Sequence, residues 1–154
     1  MVALDEVGTD RWIAEVATTN TDRFLGWFED SWYADGGGAL LSPAPGYIAP
    51  PLDGVWATAP YLHNGSVPTI DALLDSPSRP AYWTRTFDSR DYDADAVGWH
   101  FTALDHGKDD ESDSSLRARI YDTTQPGYSN AGHTFGDALD DASRAAVLEY
   151  LKTL

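Results

Sequence analysis

Residues 51–68 read PLDGVWATAPYLHNGSVP, and this stretch sets what the rest of the chain can be. It gathers Trp56, Tyr61 and Leu62 around one imidazole, His63, and brackets them with Pro60, Gly65 and Pro68, which restrict or relax the backbone at fixed points. The pattern predicts a buried, irregular loop, with the turn-forming pair Asn64-Gly65 behind the imidazole. Two readings stay open for His63: a hydrogen bond within a packed loop, or an imidazole held at a defined angle in a pocket.

Upstream, Pro43, Pro45, Pro50 and Pro51 forbid regular helix and push the lead-in toward extended backbone. Gly36 to Gly38 form a hinge or a helix C-cap, and lack the later Gly-Lys-Ser/Thr of a phosphate loop. Between Asp10 and Tyr33, apolar positions at Trp12, Ile13, Val16 and Ala17, then Phe24, Trp27, Phe28 and Trp32, predict two short amphipathic helices with Asp10 and Thr21 as N-caps. Core packing is the simpler use of that aromatic stripe, and a cofactor or partner surface is the other.

Downstream, Thr69 caps a short helix through Leu74 that Pro77 and Pro80 stop. Residues 82–87 and 97–101 read as strands pairing in a hairpin. Asp91, Asp93 and Asp95 fit solvated turn carboxylates better than a calcium loop, because Ala96 and Thr102 stand where Gly and Glu are needed. Residues 104–115 are acidic and poor in apolar groups, which predicts a mobile excursion before a helical turn at 116–121. Asp140 caps a terminal helix with Val147, Leu148, Leu151 and Leu154 on one face and Glu149 and Lys152 outside it.

The 154 residues fit a single modest core, in an organisation of a helical and Pro/Gly-rich lead-in, 1–46, and a domain, 47–154. A net charge of −15, from 25 acids and 10 bases, excludes nucleic acid as a partner and disfavours anionic membranes, since no basic stripe exists to displace counterions. It suits a basic partner or a salty medium. No run of apolar residues is long enough to span a bilayer, and the start MVALDEVGTD shows no signal peptide.

The 51–68 stretch resembles the loop that lines the haem crevice in the C-terminal domain of the di-haem cytochrome c peroxidase superfamily, and WATAPYLHNGSVP is most similar to the rubber oxygenase branch. LLDSPSRP at 73–80, residues 87–98 and GHTFGDALDDASRAAVLEYLKTL at 132–154 follow that branch in order, with a weaker echo at 4–10. The resemblance implies a mainly α, cytochrome c-like partial domain with long irregular loops and a small β-hairpin insertion. It implies an extracytoplasmic, periplasmic setting.

Such families hold haem c through a CxxCH run, and this chain has no cysteine and only Met1 as methionine. The covalent anchor and proximal ligand would therefore come from a CxxCH-bearing companion chain or segment. By resemblance His133, in the element GHTFG, is the distal iron ligand and Phe135 packs on the haem. His63, Tyr61, Trp56 and Pro60 shape the pocket. Arg79 and Arg85 are propionate partners or surface ion pairs. Two imidazoles on one iron leave no open position, so the resemblance implies electron transfer, with a basic redox partner, ahead of peroxide or dioxygen chemistry. The rival readings are a haem-free relic serving as a structural or interaction subunit, and a noncovalent haem binder. The sequence does not decide whether the chain is an enzyme.

Overall fold

A computed structural model describes residues 2–34 and 46–154, so the triple glycine and Pro43 and Pro45 lie outside the described residues. Its architecture is mainly helical with small β elements and long connections. The chain opens with α1 (Leu4–Val7) and α2 (Trp12–Glu29). One continuous 18-residue helix thus replaces the two short ones that the sequence suggests. Its polar middle is no break, because the hydroxyls of Thr18, Thr19 and Thr21 donate back to the carbonyls of Ala14, Glu15 and Ala17 at 2.7–2.9 Å and are satisfied inside the helix. Asp10 does serve its start, accepting from the Trp12 N–H at 2.8 Å, whereas Thr21 lies mid-helix.

Of the 51–68 loop, Tyr61 and residues 66–68 are buried and enter the core, while 51–53 and 56–58 are exposed, so the expected buried loop is buried only in its second half. Tyr61 and Val67 exchange backbone hydrogen bonds, at 2.7 and 3.3 Å, and pack with Ile70, Ala72, Val97 and Leu148. Next comes α3 (Ile70–Leu74), capped by the Thr69 hydroxyl accepting from the Ala72 N–H. At the far end of the chain, α5 (Asp141–Leu151), capped by Asp140 accepting from the Ser143 N–H, packs against α3.

Strands lie between these helices. β1 (Tyr82–Thr84) pairs antiparallel with β4 (Thr102–Leu104) and with β5 (Tyr121–Asp122), while β2 (Tyr92–Asp93) and β3 (Gly98–Trp99) form a separate hairpin nested inside. The expected pairing of 82–87 with 97–101 is therefore displaced by one strand. Gly98 explains why: a Cβ there would stand 2.7 Å from the Thr69 Cα, so this backbone is committed to the start of α3, with the Ile70 N–H donating to Val97 and the Trp99 N–H to Pro68.

Two further expectations change. The acidic 104–115 segment is ordered by local caps, with a 3-10 turn at Lys108–Asp110 and Asp113 accepting from the Ser115 and Leu116 N–H groups. The helical turn after it is α4 (Ser114–Arg117), earlier than expected, because Tyr121 is already in β5. The aromatic stripe of α2 is not core: Ala14 is its buried residue, and Trp12, Phe24 and Trp27 are 54%, 46% and 58% exposed. No helix among the described residues is long and apolar enough to cross a membrane.

Candidate functional site

His63 and His133, 70 positions apart in sequence, meet in the fold with ring centroids 6.5 Å apart and planes inclined by 26°. Each is aimed by a backbone that side chains rarely adopt. Leu62, just before His63, has φ 66°, and His133 itself has φ 51°, a region costing a non-glycine residue roughly 1–2 kcal/mol. Gly132, at φ 76°, lets the segment carrying His133 press onto the end of α1 and the residues after it: a Cβ there would collide with the backbone of Val7, Gly8 and Thr9. The His133 N–H then donates to the Val7 carbonyl at 2.9 Å.

Tyr47 covers His63 from the other side, its ring 4.4 Å away, and its hydroxyl donates to the Asp10 carbonyl at 3.2 Å. Both nitrogens of His63, the Nδ1 of His133 and the hydroxyl of Thr9 are buried without a hydrogen-bond partner. Burial pushes the His63 imidazole below its ordinary pKa, with the Asp10 charge opposing. Burial also lowers His133, helped by His63 and the Arg79 cation, against the Ala131 carbonyl. Both rings therefore favour the neutral form, the form able to bind a metal.

The remaining predicted residues take other roles. Arg79 donates all five N–H groups to carbonyls: Nε to Ala72 at 3.1 Å, Nη1 to Asn130 and Gly132 at 2.7 Å, and Nη2 to Leu73 and His133 at 2.9 and 3.0 Å. No donor is left for a propionate, and among the described residues Arg79 makes no ion pair. The Arg85 guanidinium carbon stands over the rings of Trp99 and Phe87, 4.3 and 5.0 Å from their centroids. Tyr61 is buried with its hydroxyl donating to the Val55 carbonyl at 3.2 Å, and burial followed by the neighbouring Tyr92 raises its pKa. Trp56 is half exposed and donates from Nε1 to the Leu154 carbonyl at 3.2 Å. Pro60, after a cis peptide bond, packs over Gly65. Phe135 is 67% exposed.

Sequence reasoning missed three contributors. Tyr47 carried no motif, and Thr9 no periodicity. Asn64 was read as a turn residue, yet its amide also donates to the Gly127 and Ser129 carbonyls at 3.1 and 2.9 Å, fastening the segment that leads to His133. Only its position beside His63 hinted at that.

Tested against a haem, the site offers two neutral imidazoles with unpartnered nitrogens, which suit iron. It offers no thioether anchor, no available propionate donor at Arg79, and no aromatic wall at Phe135. The residues present do not by themselves assemble a haem cradle. Nor, among the described residues, do three His, Cys, Asp or Glu side chains gather to hold a metal ion.

A family model described as RoxA-like, cytochrome c-like matches residues 46–84. This short internal segment includes the 51–68 loop and the LLDSPSRP run, while residues 87–98 and 132–154 lie beyond it. Uncharacterized protein y4iJ of Sinorhizobium fredii (strain NBRC 101917 / NGR234) is 45% identical over 117 residues, which is 70% of this chain and 18% of that protein. Uncharacterized protein y4iM of the same strain is 37% identical over 134 residues, 75% of this chain and 29% of that protein. The chain thus spans less than a third of the length of either relative.

Proposed function

We propose that the chain is a protein-interaction module: a cytochrome c-like part-domain that docks, through the aromatic face of α2, on a polypeptide with an apolar surface rimmed by Lys and Arg. The observation that carries this reading is the cluster of Phe24, Trp27, Phe28, Trp32 and Tyr33. Their rings pack against one another at 3.9–6.5 Å between centroids, stacked or tilted, yet Trp32 is 80% exposed. Contiguous apolar surface of this kind is uncommon unless something covers it. Asp22 and Glu29 within the helix and Asp30 at its C-terminal end add acidic groups in a chain of charge −15, which favours a basic rim on the partner. The far greater length of both relatives supports a covering segment that belongs to a longer polypeptide or a companion chain.

A second reading is favoured by one specific observation, the orphaned nitrogens of His63 and His133. In it the module belongs to an electron-transfer haem domain, with His133 lending a ligand to a haem c anchored on the covering polypeptide.

The test is purification from the natural source with companions retained, beside the double variant Phe24→Ser/Trp27→Ser. The expected result is a companion chain lost on substitution while the circular dichroism spectrum is unchanged. A companion that stays bound, or none at all, overturns the module. The visible spectrum of the same complex separates the second reading: a low-spin haem converted toward high spin by His133→Asn supports it, and a colourless complex removes it.

A further inference from the structure

On the sheet side of the molecule, residues of β1 and β4, the 85–91 loop and the 106–120 segment enclose a cleft of about 690 Å³. Small-molecule sites fall in the range of roughly 300–1,000 Å³ and combine an apolar lining with a few polar groups. Here Phe87, Phe101, Leu104, Leu116 and Ile120 supply the apolar lining. Phe101 is braced edge-on against the buried Trp83, at 6.3 Å, so that wall is built into the core.

The polar groups are unequal in what they have left to offer. Asp88 is taken by Arg90, at 2.7 and 3.0 Å, and Asp91 accepts the Thr86 hydroxyl at 2.5 Å. Glu111 accepts from the Asp113 N–H at 2.8 Å and stands 3.8 Å from His106 Nε2. Among the described residues Arg85 makes one side-chain hydrogen bond, to the Thr86 carbonyl, and its guanidinium sits over the Trp99 ring. Among the described residues neither Arg85 nor Arg119 has a carboxylate within ion-pair distance. In a chain with 25 acids and 10 bases, two guanidiniums at one apolar cleft with no carboxylate partner among the described residues mark a place for an outside carboxylate.

We propose that this cleft binds a small amphiphilic monocarboxylic acid, its apolar body against Phe101, Leu104, Leu116 and Ile120 and its carboxylate on Arg85 and Arg119. The inference is independent of the α2 surface, and either can fail alone.

The experiment is titration of the full chain with decanoate, decan-1-ol and decylammonium below their micelle concentrations, followed by calorimetry and by the Trp99 indole resonance. Decanoate binds saturably and shifts that resonance, with affinity about tenfold above decan-1-ol, the scale of one charge-assisted hydrogen bond. Arg119→Gln, at an exposed position, weakens decanoate by a similar factor and leaves decan-1-ol unchanged. Arg85→Gln does the same, with circular dichroism reporting the fold. Equal binding of acid and alcohol, preference for decylammonium, or absence of saturable binding overturns the proposal. So does decanoate binding lost in Trp27→Ser, which would put the ligand on α2.

Discussion

Arg79 and the two histidines show how single residues hold the site. The guanidinium joins the C-terminal carbonyls of α3 to those of Asn130, Gly132 and His133, so it fixes the backbone from which the His133 ring projects. Replacing Arg79 by Ala leaves five carbonyls without that donor and should lower unfolding stability by about 3 kcal/mol in urea titrations, since hydrogen bonds to charged groups are the stronger kind. Arg90→Ala, at the surface, should leave the midpoint where it is. Acid sensitivity follows from His63 and His133. Their folded pKa values lie below the unfolded value of about 6.5, so the unfolded chain binds more protons in that window and stability falls as pH drops below about 6.5. His106 is raised by its hydrogen bond to Asp105 and acts oppositely, losing its contribution as pH rises through its folded pKa. The double variant His63→Gln/His133→Asn should flatten the loss between pH 7 and 5, with Asn chosen because it tolerates the left-handed backbone. An unaltered pH profile would show that the pair is not its source.

Elements differ in how much of their stability is local. Both α3 and α5 start at a side-chain cap, Thr69 and Asp140, and these caps were legible because the accepting oxygen lies within one turn of its donor. Thr69→Ala should cost about 1 kcal/mol, and Asp140→Ala should fray α5 and lower its amide protection in hydrogen exchange. α2 is different: its start is tied to Gly127 through Asp10, at 2.7 Å, but its aromatic face contributes little to the folded chain. Phe24→Ser/Trp27→Ser should therefore leave the urea midpoint of the isolated chain nearly unchanged. The reading of two helices failed because it took Thr21 as a second N-cap, while its hydroxyl donates back to the Ala17 carbonyl inside a continuous helix.

At the scale of the molecule, a charge of −15 on 154 residues loads the compact state with repulsion. Raising sodium chloride from about 0.1 M to 1 M shortens the screening length from roughly 10 to 3 Å, so the thermal midpoint should rise over that range, and a flat response would mean that the charges are already locally compensated. Long-range ties matter as much as charge. Asn64 ties the 51–68 loop to Gly127 and Ser129, while Val7 to His133 and Val2 to Tyr47 join the start of the chain to two further segments.

The sequence by itself determined the caps at Thr69 and Asp140, because each depends on contacts within a few residues, and through its resemblance the mainly helical class. It also singled out His63 and His133 from their glycine-rich and aromatic settings. Only the tertiary structure decided that the two rings meet, that Arg79 holds carbonyls, that β1 pairs with β4, and that the α2 aromatics face outward. Each of these depends on which distant backbone arrives first at a donor or an apolar face, a competition between parts of the chain that local spacing does not encode.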